Sequence, residues 1–247
     1  MTDLAVTRVG HSCHLIEIGG RTLLTDPWFT VKPTYDQGER VAFTPDQLPP
    51  LDAIVISHEH YDHCDLDALL DLRDVPVIGP GTVAAIAREK GWKDVRELEA
   101  WDATQVGDVT VTAAPGKHGV HEVTFVLQGG GRTVFFGGDS LLVPEMAELP
   151  QRFGAFDLAL LPTNGLCIRP LGGEQVVMNA AEAAELTAIL RPRVAIPHHY
   201  AFTSGRLGDL LITKGSREPL KFAAGVNPET EVRVVLPGQR VIPVSGS

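Results

Sequence analysis

Apolar positions along the chain fall in short runs broken by turn residues, and the runs are mostly too brief for helices. Residues 4–9, 14–18 and 22–25 read as consecutive strands, with Gly19 and Gly20 joining the last two into a hairpin. Residues 52–57 form a continuous β-branched run, as a buried strand requires. A short helix over 65–72, a strand over 75–78 and a helix over 82–90 ended by Gly91 follow. Strands are then expected at 109–115, 123–127 and 133–136, the last two joined by Gly129, Gly130 and Gly131. The remaining pattern gives a helix over 145–152, a strand over 158–161, a helix over 179–190 and a strand over 194–196. Two successive runs of strands, each followed by helices, suggest two similar halves, roughly 1–128 and 129–247. Packed sheet to sheet with the helices outside, they would make one α/β domain over 1–247, a four-layer αββα sandwich. The stretches 27–50 and 162–178 are long for plain connections and read as walls of a pocket.

Composition narrows the function classes. The chain has 247 residues, 44% of them hydrophobic, enough for a large core. A formal net charge of −10 without any basic run argues against a nucleic-acid surface, which needs clustered Lys and Arg. No apolar run approaches the roughly 20 residues of a membrane span, and no secretory leader pattern opens the chain, so a cytoplasmic protein is expected. Cys13, Cys64 and Cys167 are scattered, which fits reduced thiols. Cys64, beside His63, is expected to pack as a small hydrophobe rather than react. A homo-oligomer is the default expectation, with no interface to point to.

The chemistry is concentrated in Ser57, His58, Glu59, His60, Tyr61, Asp62 and His63, directly after the 52–57 strand. Neutral imidazole is the commonest protein metal ligand, and carboxylate oxygen also suits zinc, manganese or iron. In extended geometry His58 and His60 point the same way and can share one ion, while Asp62 and His63, where the chain turns, can serve a second. Other strand ends lead to His118, to Asp139, and to His198 and His199. Delivering ligands from several strand ends to one rim is how layered α/β folds build sites from distant sequence. No Gly-x-Ser-x-Gly elbow and no P-loop is present.

His58-x-His60-x-Asp62-His63, a later His118, Gly138-Asp139 and Pro197-x-His199 together resemble the metal motifs of the metallo-β-lactamase superfamily, over nearly the whole chain. Gly10-His11-Ser12, Thr25-Asp26-Pro27-Trp28 and Pro197-His198-His199-Tyr200 resemble the branch that contains L-ascorbate-6-phosphate lactonase. The resemblance implies the αββα fold and two divalent metal ions, Zn2+ first, with Mn2+ or Fe2+ as alternatives. It implies one metal on His58, His60 and His118, a second on Asp62, His63 and His199, and Asp139 bridging. His198 is the alternative to His199, which is chosen because an aromatic residue, Tyr200, follows it. A metal-bridging hydroxide would then attack a carbonyl, a lactone or ester of a small and possibly anionic metabolite, with Asp62, His199 and Tyr200 as catalytic candidates. The alternative is a phosphodiesterase acting on a cyclic nucleotide, a phospholipid head group or nucleic acid, and a further one is a metal-binding protein without catalysis.

Supporting roles are less determined. Asp26 is expected behind the ligands, accepting a histidine N–H. His11 is either a pocket residue, as an acid or substrate contact, or structural, and Arg169 either contacts an anion or is a solvated loop charge. Lys117 and Tyr200 are both candidates to donate to a developing oxyanion, and Ser140 to orient Asp139 or cap the next segment.

Overall fold

The structure is a computed structural model that describes residues 4–32, 36–201, 203, 205–213 and 218–243. Residues 33–35 of the expected pocket wall, and 1–3 and 244–247 of the expected domain, lie outside the described residues.

The first sheet contains β1 (Leu4–Gly10), β2 (Cys13–Ile18), β3 (Arg21–Thr25), β4 (Ala53–Val55), β5 (Val77–Gly79) and β6 (Val95–Glu97), with β17 (Arg240–Val241) pairing outside β1. β1 to β3 form an antiparallel meander, and β3 to β6 run parallel. The second sheet repeats the plan. β7 (Ala103–Val106), β8 (Val109–Pro115), β9 (Val123–Gly129) and β10 (Arg132–Phe136) are antiparallel; β11 (Leu158–Pro162), β14 (Val194–His198) and β16 (Glu231–Val232) continue parallel. A small third sheet of β12 (Cys167–Ile168), β13 (Glu174–Gln175) and β15 (Ile212–Thr213) stands apart from both.

Period-2 alternation decides which side chains meet where. Val6, Ile16, Ile18, Leu23 and Val55 of the first sheet pack against Val111, Phe125, Leu127, Val134, Phe136 and Leu160 of the second, in one buried cluster. The opposite faces are covered by helices. Leu15, Leu24, Ile54 and Ile56 lie under Val83 and Ala87 of α1 (Gly81–Glu89) and under Leu66 and Leu69. Phe135, Ala159 and Leu161 lie under Leu149 of α2 (Leu149–Phe153), under Ala183, Leu186 and Leu190 of α3 (Ala180–Leu190), and under Phe222 of α5 (Glu218–Gly225). This is the four-layer α/β arrangement of the metallo-β-lactamase fold. The short helix α4 (Gly205–Leu211) precedes β15.

The chain passes between sheets near residue 100, not at the expected 128–129 boundary. The glycine turn at Gly129 to Gly131 is the sharpest local signal, but it joins β9 to β10 inside one sheet. The expected helix over 65–72 is a 3-10 segment, Leu66–Leu72, with a kink at Leu69, and the helix expected over 145–152 divides into a 3-10 turn, Pro144–Glu148, and α2. Pro150 lacks the N–H that one continuous helix would use. α3 starts where expected, since Asn179 caps Ala181 N and Glu182 N and the Glu182 carboxylate accepts from Asn179 N. Among the described residues, no helix is long and apolar enough to cross a membrane.

Candidate metal centre

Loops following the ends of β1, β3, β4, β8, β10, β11 and β14 meet at one rim, bringing together residues from position 11 to position 199. His58, His60 and His118 each offer one nitrogen, and a second group offers a carboxylate oxygen from Asp62 and one nitrogen each from His63, His199 and His11, the atoms of each group lying within 4.8 Å of one another. His58 Nε2 is 3.1 Å from His60 Nδ1, which is 3.2 Å from His118 Nε2. Asp139 Oδ2 lies 3.2 Å from His63 Nε2 and 2.8 Å from His199 Nε2. Every carboxylate and imidazole singled out in the sequence as a ligand is therefore at this rim.

Hydrogen bonds behind the rim fix which ring nitrogen faces forward. Ser57 N–H and Ser57 Oγ–H donate to Asp26 Oδ1 and Oδ2, both at 2.7 Å. With its proton spent there, Ser57 Oγ accepts from His58 Nδ1–H at 2.9 Å. His63 Nδ1–H donates to Asp26 Oδ2 at 2.7 Å, and His118 Nδ1–H to the Val176 carbonyl at 2.6 Å. His58 and His118 are thus held as tautomers whose Nε2 lone pairs point inward, the form a metal requires, and His63 presents Nε2 the same way once it gives up its second proton. Asp26 has the role expected of it, and reaches His58 as well through Ser57.

The donor set fits divalent ions. Three forward-facing imidazole lone pairs crowded at about 3 Å repel unless a proton or cation lies among them, and Asp139 Oδ1 is buried without a hydrogen-bond partner among the described residues. Burial works against charge throughout, yet the Asp139 and Asp62 carboxylates outweigh it to hold His63 well above the ordinary imidazole range. Burial would likewise raise Asp139, but His199 and His63 hold it well below the carboxylate range. Glu122, which accepts from Asp139 N–H at 2.6 Å and lies 3.4 Å from His58 Nδ1, is pushed up to about 8 by burial. Gly138, at φ +52, makes this approach possible, since a Cβ there would lie 2.4 Å from Glu122 Oε1.

Other expectations are redirected. His198 does not face the rim: its Nδ1 pairs with Ser12 Oγ at 2.8 Å and its ring stacks on Phe136. His199, at φ +57, leaves the strand alternation, and this turn is what swings the second of the adjacent histidines forward. Tyr200, a catalytic candidate, is absent from the cavity, and its hydroxyl accepts instead from Arg8 Nη1 at 3.2 Å. Arg169 is exposed and does not line the cavity either. His11 is buried and lines no cavity surface. Ser140 neither orients Asp139 nor caps a helix; it accepts from Lys117 N–H and donates to the Leu141 carbonyl, tying together the loops that carry His118 and Asp139. Cys64 packs as expected, burial pushing its thiol up to about 12.

In front of the rim lies a cavity of about 630 Å³. Its far wall comes from the third sheet and the 162–178 stretch, with Leu166, Ile168, Val176 and Ile212, and Lys32 and Lys117 stand at its edge. The sequence left Ser57, Glu122, Asn164 and Lys32 without roles. Asn164 Nδ2 lies 2.8 Å from His199 Nδ1. Its position just past a strand end was the one available signal.

The β-lactamase superfamily domain family matches residues 21–200. A UPF0173 protein of Pyrococcus abyssi is 35% identical over 198 residues, covering 79% of this chain and 83% of its own. A UPF0173 metal-dependent hydrolase of Anaeromyxobacter sp. is 31% identical over 258 residues, covering 96% and 85%. Among solved structures, a possible metal-dependent hydrolase from Veillonella parvula superposes with TM-score 0.78 at 20% identity, covering 96% of this chain and 98% of that one. Igni18, a metallo hydrolase from Ignicoccus hospitalis, gives 0.75 at 22% identity, covering 96% and 97%. With the fold and a His/Asp metal site already in place, these matches put the chain in the metallo-β-lactamase superfamily, as a metal-dependent hydrolase.

Proposed function

We propose that this hydrolase works with two divalent metal ions and attacks the carbonyl of a small ester or lactone. The observation that carries the reading is the pair of adjacent donor groups, His58, His60 and His118 beside Asp62, His63 and His199, with Asp139 Oδ2 against His63 and His199 of the second. A nitrogen and oxygen donor set of this kind suits zinc and also admits manganese or iron. Divalent ions held there would supply an acidified water, its pKa lowered from about 15.7 toward about 7, and a Lewis acid for the carbonyl oxygen.

The chain's own residues do the remainder. Asp26, Ser57 and the Val176 carbonyl keep the imidazoles oriented, which removes a reorganisation cost at the moment of reaction. Asp62, which lines the cavity and turns only Oδ2 toward His63 and His199, is the group placed to take up or return a proton; His199 Nε2, as a ligand, has no free lone pair for it. Leu166, Ile168, Val176 and Ile212 give the substrate a hydrocarbon surface and exclude water. Lys32 Nζ sits 3.1 Å from the centroid of the Tyr61 ring, and Tyr61 is itself held by its hydroxyl donating to the Thr30 carbonyl at 2.6 Å. With Lys117, it supports an anionic group on the substrate. A lactone substrate, as in the lactonase-like branch, is the finer part of this proposal.

The test is turnover by metal-loaded protein of sugar lactones, aryl esters and a chromogenic phosphodiester. Lactone or ester turnover that vanishes in His60→Ala is expected. Joint Lys32→Ala and Lys117→Ala substitution should cut kcat/KM for anionic substrates about tenfold, roughly 1.4 kcal/mol, and leave neutral ones unchanged. Turnover of the diester alone would replace carbonyl attack with phosphodiester hydrolysis.

A further inference from the structure

His11 stands outside the ligand sets suggested by the sequence, yet it lies among the same donor atoms. We propose that His11 is itself a ligand of the second metal position, which would then be held by His11, Asp62, His63 and His199. This rests on the two-metal reading above.

One ligand atom from each of these four residues lies within 4.8 Å of all the others, and all four residues are buried. His11 Nε2 is 3.4 Å from Asp62 Oδ2, and its ring centroid is 4.2 Å from that of His199 and 5.3 Å from that of His63. A spacing of 3.4 Å is long for an N–H···O hydrogen bond, whose range ends near 3.2 Å. It is, however, the separation of two ligand atoms each about 2.1 Å from one ion at a tetrahedral angle, roughly 3.4 Å.

The backbone is built to present this ring. His11 adopts φ +50, a left-handed conformation uncommon for any residue with a side chain. The turn is pinned by His11 N–H donating to Glu39 Oε1 at 3.0 Å. Arg8 and Glu39 also pair with each other, and Trp28 packs against the imidazole with its centroid at 4.7 Å. The two metal positions would then differ. His60 and His118 of the first are half-buried, whereas all four donors of the second are buried and it meets the cavity only through Asp62 and His199.

The test is cadmium-113 NMR on the cadmium-loaded full chain, comparing the unsubstituted protein with His11→Ala and His11→Gln at saturating cadmium, with metal per chain and thermal unfolding measured alongside. Two resonances are expected from the unsubstituted protein, and His60→Ala identifies the one from the first position. In both His11 variants the second resonance should move upfield or vanish while the first stays, because a nitrogen ligand has been lost. If His11→Ala does not fold, His11→Gln carries the comparison. Two resonances unmoved in a folded variant would overturn the proposal and reduce His11 to a residue that positions Asp62. A single resonance in the unsubstituted protein would instead overturn the two-metal reading itself.

Discussion

Asn164 presents its amide nitrogen, not its oxygen, to His199 Nδ1 at 2.8 Å, because Asn164 Oδ1 is already accepting from Leu166 N–H at 3.1 Å. A neutral His199 therefore carries its proton on Nε2, 2.8 Å from Asp139 Oδ2, whereas neutral His58 and His118 turn bare Nε2 atoms inward. Metal uptake through His199 has to displace that proton and turn the Asn164 amide, at the expense of one hydrogen bond worth about 1 kcal/mol.

Replacing Asn164 tests this directly. In Asn164→Asp the carboxylate can accept from both Leu166 N–H and His199 Nδ1–H, so metal affinity at neutral pH should rise, by about fivefold if one hydrogen bond is recovered. Asn164→Leu should lower it by roughly 10–100-fold, the usual effect of removing a partner behind a ligand. Competition titration against a chromophoric chelator gives both numbers. Unchanged affinity in the two variants would remove His199 Nε2 from the ligand set.

Asp26 is the hub of the hydrogen bonds behind the rim, accepting from Ser57 N–H, Ser57 Oγ–H and His63 Nδ1–H. Asp26→Asn sets a donor against two donors and should cost about 2–4 kcal/mol of stability in metal-free protein, measured by urea unfolding. Ser57→Ala removes one of the three donors to Asp26 and the acceptor of His58 Nδ1–H, leaves Ser57 N–H and His63 on Asp26, and should cost less, about 1 kcal/mol. Equal costs for the two would show that Asp26 is not the shared acceptor.

Metal removal should destabilise the folded chain without unfolding it at room temperature, since the two sheets and their helices keep their own apolar cores. Ions present at about a thousand times Kd contribute roughly 4 kcal/mol, which for a chain of this size is a fall of about 10 °C in Tm on adding chelator. Calorimetry with and without chelator, followed by restoring zinc, checks both the fall and its reversal. A Tm that does not respond to either would sink the metal assignment.

His14 provides a pH signature away from the rim. Burial, with the Arg8 charge adding to it, pushes His14 down to about 3, from an ordinary value near 6.5. The unfolded chain therefore binds the extra proton first, and stability contributed by neutral His14 is full above about pH 6.5 and lost as pH falls toward 3, at about 1.4 kcal/mol per pH unit. His14 Nδ1–H donates to the Ser12 carbonyl at 2.9 Å, and Asn can reproduce that donor without titrating. In metal-free protein, His14→Asn should therefore unfold with a shallower loss of stability between pH 6.5 and 4.5 than the unsubstituted chain. Parallel curves would mean that His14 does not titrate on unfolding.

Local pattern was enough for most strands, because period-2 burial and glycine turns act over neighbouring residues, and the family resemblance was enough to name candidate ligands that the fold brings together. The seven residues from His58 to His199 named from the sequence all converge at the rim, and Asp26 stands behind them. What tertiary structure alone decided is direction. Whether His198 or His199 turns forward depends on one left-handed residue, Tyr200 is drawn off by a buried Arg8, and His11 enters the metal cluster through a turn pinned by Glu39. Each outcome depends on side chains packed against the site from elsewhere in the chain, and the energy that selects it, a few hydrogen bonds against a strained φ, is a property of those contacts and not of the local sequence.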